Sequence, residues 1–495
     1  LLLVVASVTL IRAYPQLFFA LAERMPREPV TQIPPDATED ERFFKYGSIG
    51  NEAGQGFPFK IWSVLPKACS GLIDKAGYAS FGFVYEPGSE APIGMSRVLL
   101  GRAPFGVEQI AINCSVCHVQ TYKLTQDEPR RIFVGGAANI LDSQRYLRFL
   151  VDCASSEGFD TDKLLQAMQA REPALPWIER QLYRHVIIPI TRDAILDRIG
   201  KRYAWTWSRP TWGPGRVDPF NPVKFDYLRQ PIDDTIGNSD MMPPWNAAAK
   251  EAIRSPTPWH WDGLSWDLKE VIINSALGDG TSKRGYREET IDRLWRYLRN
   301  LKSPKAPLEV DQALLAQGEA LFQANCASCH APNGQRVLTI IPLTEIGTDD
   351  NRWRMWTKEA TAAYNNYDKD GKDQNGNSWG FAWTLDQFKK LDGYLAQPLN
   401  GIWLTGPYLH NGSVPTLDDL LKPPDQRQPT FVRGLELIDL VKGGYTAPPC
   451  RPQDYPGPGF CYDTRLKGNS NAGHQYGTTL TEGERRALVH YLLTL

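Results

Sequence analysis

Twice in this chain two cysteines stand three apart with a histidine directly behind: Cys114-Ser-Val-Cys117-His118 and Cys326-Ala-Ser-Cys329-His330. This is the C-x-x-C-H pattern of covalent haem attachment. Two thiols on one helical turn reach the two vinyl carbons of one porphyrin, and the adjacent imidazole lies under the iron as its proximal ligand. With 8 Cys and 7 His in 495 residues, one chance match is expected in roughly two chains per thousand, so a pair of matches is not accident. A structural zinc site needs further Cys or His at short spacing, and neither motif has them. Two covalently bound haem c groups are therefore expected. Cys114, Cys117, Cys326 and Cys329 are the attachment points, and His118 and His330 the iron ligands.

At 495 residues the chain has room for two or more domains. A net charge of -1 gives no steering toward a polyanion, so nucleic acid is not an expected partner. Fifteen Trp suit the flat apolar walls a porphyrin needs, although ordinary core packing uses most such residues. Four cysteines remain outside the motifs. Cys450 and Cys461 bracket a Pro/Gly-rich loop, as a local disulfide would, whereas spacing does not decide whether Cys69 pairs with Cys153. An even remainder fits an oxidising compartment. Bacteria attach haem covalently outside the cytoplasmic membrane, so the periplasm is the expected location. Leu1 to Leu21 is nearly all apolar, interrupted by Arg12 and Pro15. An uninterrupted span takes about 20 apolar residues. Residues 1–24 are expected to be a single membrane anchor helix on the periplasmic face of the inner membrane. A cleaved signal peptide and a buried helix of a larger assembly are the alternatives.

Residues 25–102 follow as a Pro-rich linker and a wrapping segment with no long helical period. Residues 103–307 make a first haem domain with a long insertion. It closes with a helix over Glu288–Leu301, where Ile291, Leu294, Trp295 and Leu298 share a side, and Ser303–Pro307 ends it. Residues 308–495 make a second haem domain. There Leu314, Gly318, Leu321 and Phe322 mark a helix running into Cys326. Its partner is the helix over Leu480–Leu495, opened by a capping box at Thr481–Glu484, and Gly318 permits close approach. The expected fold is mainly α: two cytochrome c-like haem domains with long irregular insertions, behind an N-terminal membrane helix.

Function turns on the sixth position of each iron, since an iron with an empty face binds O₂ or peroxide and one with two strong ligands transfers electrons. Five histidines remain: His185, His260, His410, His474 and His490. His185 precedes an apolar run and reads as a packed residue; His490 lies on the closing helix. His260, between Trp259 and Trp261, is either a polar tip near the first haem or a structural residue. Met241-Met242 in a Pro-bounded loop offers thioether ligands. Asp368, Asp370 and Asp373 form a carboxylate cluster with a Gly, either a Ca²⁺ site or a solvated acidic loop.

Gly406-Pro-Tyr-Leu-His410-Asn-Gly-Ser-Val-Pro-Thr-Leu resembles the signature loop of the bacterial di-haem cytochrome c peroxidase superfamily. Asn469-Ser-Asn-Ala-Gly-His474 and Phe44-Lys-Tyr-Gly-Ser-Ile-Gly50 are closer to its rubber-oxygenase-like branch. The resemblance implies one haem with two protein ligands, His330 and His474, and another, on His118, with an accessible face. It makes His410 a residue of the haem pocket and leaves Phe220 and His260 as candidates to face the open side. It also implies a Ca²⁺ between domains, which is where the Asp368 cluster enters. The chain is shorter than typical rubber oxygenases, which puts polymer cleavage in doubt. Two functions follow. One is an envelope-anchored di-haem oxidoreductase acting on peroxide or O₂. The other is an electron-transfer subunit of a respiratory or photosynthetic membrane complex. The partner is a small redox protein or that complex. No Ser/His/Asp or paired-carboxylate arrangement supports a hydrolase.

Overall fold

The computed structural model describes residues 24–29, 38–102, 106–282, 284–367, 385–453, 455, 457 and 459–495. They form two compact units. The first takes the chain up to Val116 with Ser143–Arg209 and Ser275–Arg293; the second takes Cys117–Asp142, Pro210–Asn274 and Leu294–Leu495. Each is interleaved along the sequence, where the helix signatures had pointed to a linear division. The expected anchor and the Asp368, Asp370 and Asp373 cluster lie outside the described residues, apart from Arg24. Among the described residues no helix is long and apolar enough to cross a membrane.

The first unit is built on an antiparallel sheet of β1 (Arg27–Pro29), β2 (Phe57–Pro58), β3 (Met95–Leu100) and β4 (Val107–Ile112), ordered β1-β3-β4-β2. Its centre is the β3–β4 pair, in register from Met95↔Ile112 to Leu100↔Val107. Met95, Val98 and Leu100 are buried, which anchors that register. The centre of this unit is thus a small sheet within a chain richer in helix, and the first clamp is entered from a strand. The sequence signal is short-period alternation over six residues, too brief to stand out against the surrounding Gly and Pro. Helices α1 (Glu39–Tyr46), capped by the Thr38 hydroxyl, α2 (Ser143–Ser155) and α3 (Thr161–Arg171), capped by Asp160, belong to the same unit. Cys153 on α2 is disulfide-bonded to Cys69, the pairing that spacing left undecided. A packed aromatic cluster joins these parts, with Trp62 stacked on Tyr78 at 4.1 Å.

Helix α4 (Glu288–Asn300) buries Ile291, Leu294 and Leu298, as its period predicts. In the second unit α5 (Gln312–Asn325) leads through Cys326 into the single turn α6 (Ala327–His330), and α7 (Glu482–Leu492) closes the chain. The Thr481–Glu484 capping box forms at the start of α7. A Cβ on Gly318 would stand 2.1 Å from the Ala487 carbonyl oxygen, so the two helices touch backbone to backbone there. Around this pair pack Phe322, Trp403, Leu404, Tyr408, Leu488 and Leu492. Short antiparallel pairs complete the unit: β5 (Val119–Tyr122) with β6 (Arg131–Val134), β7 (Arg216–Val217) with β8 (Ser239–Asp240), β9 (Ile340–Pro342) with β10 (Gly393–Leu395), and β11 (Thr430–Arg433) with β12 (Phe460–Asp463). Cys461 on β12 is bonded to Cys450, as its loop predicts.

Candidate haem-binding site

The second clamp is a product of helix geometry. Cys326 ends α5, its amide bonding to the Phe322 carbonyl, and Cys329 and His330 fall on the next turn. Neither cysteine takes part in a disulfide. The His330 imidazole is half-buried with Nδ1 2.7 Å from the Gln397 carbonyl, so Nδ1–H donates and Nε2 is left as the metal-binding nitrogen. Burial lowers its pKa, which keeps the ring neutral, the form that ligates.

Opposite it stands His474. Its backbone is held in the left-handed region at φ +47, and its amide donates to the Ile346 carbonyl at 2.7 Å. Gly473 before it packs so closely that a Cβ would meet the Thr348 nitrogen at 2.3 Å. Arg427, buried, then ties the whole loop. Its guanidinium donates to the carbonyls of Asn471, Gly473 and His474 at 2.5, 2.9 and 3.3 Å, and to those of Lys422 and Leu420 at 3.0 and 3.1 Å. Burial pushes the His474 pKa down to about 3, so this ring is neutral as well, and its Nδ1 is buried without a hydrogen-bond partner.

The ring centres of His330 and His474 are 6.2 Å apart. Two imidazoles bonded to opposite faces of one iron, each at about 2 Å, have ring centres about 6 Å apart. Both rings, Cys326 and Cys329 line one cavity of about 350 Å³ with largely apolar walls. These residues fit a haem c. His410 and Tyr394 line the same cavity, their rings stacked at 4.1 Å and the Tyr394 hydroxyl 3.1 Å from His410 Nε2. Met241 and Met242 also line it.

At the first motif Cys114 belongs to the first unit, and Cys117 and His118 to the second. On the first side Asn113 fixes the turn: its side-chain amide donates to Gly47 at 3.0 Å and its Oδ1 accepts from the Ser115 amide at 3.0 Å. Gly94 packs against this turn at φ +91, where a Cβ would meet the Val116 nitrogen at 2.2 Å. Burial pushes the Cys114 thiol up to about 12. On the second side the residues after β6 fold back over the motif. Gly135 donates to the His118 carbonyl at 2.7 Å and Ala138 to that of Cys117 at 3.0 Å. His118 Nδ1 lies 3.3 Å from the Gly136 carbonyl, repeating the His330 arrangement, and burial lowers its pKa to about 4.

Phe220 and His260 are brought together, with ring centres 5.3 Å apart. Phe388 and Trp356 close the group around Phe220, and the Arg352 guanidinium lies over the Phe220 ring at 5.3 Å. Arg352 is paired with buried Asp262 at 3.3 Å. His260 stands at φ +68 with Nε2 buried and without a hydrogen bond, and burial lowers its pKa to about 4.

Residues 315–397 match the family model described as cytochrome c. Residues 393–432 match the one described as RoxA-like, cytochrome c-like. The chain contains a cytochrome c domain. That domain implies a covalently bound haem c, and its matched span holds most of α5, the second clamp and Gln397. Two curated relatives are both uncharacterized proteins of Sinorhizobium fredii. One, y4iM, is 32% identical over 210 residues, 39% of this chain and 48% of its own length. The other, y4iJ, is 30% identical over 254 residues, 39% of this chain and 41% of its own length. The chain thus spans under half of either relative.

His474 and Arg427 fall outside the span matched as cytochrome c, and His410 falls within the RoxA-like match. Sequence reasoning missed three residues that hold the candidate ligands: Arg427, Gln397 and Gly136. Gln397 and Gly136 act through backbone carbonyls, which leave no side-chain signal, and Arg427 lies in a Pro-rich stretch without periodicity. His490 accepts from the Asp311 amide at 3.0 Å and so helps start α5. His185 is exposed, where the following apolar run had pointed to packing.

Proposed function

We propose that this chain is a di-haem c-type cytochrome of the bacterial periplasm, held at the inner membrane by residues 1–24. In this reading it is an oxidoreductase. His330 and His474 would hold one haem iron between them, and His118 would hold a second iron as its single protein ligand. Haem supplies electron transfer where both iron positions are filled and O₂ or peroxide chemistry where one is free. The protein's part is to hold the His118 and His330 imidazoles by carbonyl bonds, to position His474 through its Arg427-tied loop, and to exclude water. The 6.2 Å separation of the His330 and His474 rings is the observation that carries the reading. His260, packed against Phe220, is the proposed proton donor or acceptor for the O₂ or peroxide chemistry. The electron partner is a small redox protein or a membrane complex.

Electron paramagnetic resonance of the oxidised protein tests this directly. The expected spectrum holds one low-spin and one high-spin ferric signal, and only the high-spin one shifts with cyanide. Replacing His474 with Ala turns the low-spin signal high-spin. Retention of that low-spin signal would reject His474 as a ligand. The second reading, an electron-transfer subunit of a membrane complex, is favoured by the apolar run Leu1–Leu21. It predicts two low-spin signals that peroxide and cyanide leave unchanged.

A further inference from the structure

The first unit has a cavity of about 880 Å³ whose walls carry seven arginines. Arg97 and Arg293 are matched by carboxylates. Arg97 pairs with Glu90 at 3.0 Å and with Glu108, and Arg293 pairs with Glu39 and Asp40, both at 2.9 Å. Arg27 donates to the Gly50 carbonyl at 3.2 Å, and Arg287 to those of Arg284 and Tyr286 at 2.7 Å. Arg24, Arg42 and Arg284 have no carboxylate partner among the described residues. The Nε of Arg42 is buried and makes no hydrogen bond. Three guanidinium groups, those of Arg24, Arg42 and Arg284, thus line one cavity without a carboxylate among the described residues.

Converging like charges repel, and a buried donor without an acceptor costs free energy. A protein tolerates both when a ligand of opposite charge completes the site. The planar fork of Arg matches tetrahedral and planar oxyanions bidentately, where Lys offers only a point charge. The haem-binding residues of the second unit take no part in this cavity.

We propose that this cavity binds a phosphate-type oxyanion carrying two or more negative charges, with Arg42 and Arg284 as its principal contacts. The anion has two possible sources. One is free in solution. The other is a lipid headgroup, because Arg24 follows only three residues after the apolar stretch that ends at Leu21. This goes beyond the redox reading and does not depend on it.

The test uses the haem-loaded protein. It is titrated calorimetrically with inorganic pyrophosphate and, separately, sedimented with phosphatidylcholine vesicles containing phosphatidylglycerol. The variants are Arg284→Gln, on an exposed turn that tolerates substitution, and Arg42→Gln/Arg284→Gln. Soret absorbance and disulfide content check their folding. Pyrophosphate binding weakened about threefold in the single variant and tenfold or more in the double supports the free source. Vesicle binding without pyrophosphate binding, weakened in the same order, supports the lipid source. If neither probe binds, or the folded Arg284→Gln protein binds as well as the wild type, the proposal is overturned.

Discussion

Glu270 is fully buried, yet it is ionisable. Burial raises its pKa to about 8, with Asp267 and Asp386 adding to the rise, against bonds from the Tyr364 hydroxyl and the Gln387 amide that favour the charged form. An unfolded Glu titrates near about 4.3. Between those values the folded chain keeps a proton that the unfolded chain has released. Stability therefore falls as pH rises through that window and levels off above it. Denaturant midpoints measured across the window should fall with pH in the wild type, and Glu270→Gln, which keeps an acceptor, should flatten the slope. An unchanged slope would remove Glu270 as its source. Arg427 makes a second case at this scale. Lys in its place cannot fork to five carbonyls. Arg427→Lys should loosen the His474 loop and raise the high-spin fraction of the oxidised spectrum, with Cys326 and Cys329 still bonded to porphyrin. An unaltered spectrum would leave Arg427 a purely structural residue. The residues legible beforehand were those with a fixed spacing, such as Cys326, Cys329 and His330. Arg427 has none, and its role appears only when five distant carbonyls converge on it.

Helices α5 and α7 meet at Gly318, where an added Cβ would collide with the Ala487 carbonyl oxygen. A backbone atom cannot swing aside as a side chain can, so the helices must separate. Gly318→Ala is expected to cost on the order of 1–3 kcal/mol, the range of overpacked cores. A thermal melt followed by helical circular dichroism measures it, and an unchanged midpoint would show that the helices slide apart freely. This contact was legible in sequence because a 3.6-residue period and a capping box identify both partners. The β3–β4 pair was not. Its strands are six residues each, and the buried side chains that fix their register gain meaning only once the strands are paired. The same limit hid Gly135 to Ala138, whose contacts to Cys117 and His118 come from backbone groups alone.

Across the molecule each compact unit has its own disulfide, and the two differ in the length of chain they close. Cys69–Cys153 spans 84 residues within the first unit and Cys450–Cys461 spans 11 within the second. The local staple was legible from its flanking Pro and Gly, whereas the long one was not, since nothing in spacing links α2 to Cys69. If a disulfide acts by restricting the unfolded chain, the long loop contributes roughly 4–5 kcal/mol and the short one roughly 3 kcal/mol. Native-state burial works in the same direction: Cys69 and Cys153 are 4% and 0% exposed, so each is packed and its replacement by Ser also leaves a polar group in the core. Cys69→Ser/Cys153→Ser should therefore lower the denaturant midpoint of the haem-loaded protein more than Cys450→Ser/Cys461→Ser does. Mild reductant should reproduce the same order as each bond opens. Equal losses, or a larger loss from the short staple, would mean that stability at these sites is set by native packing around β12 and not by the freedom of the unfolded chain.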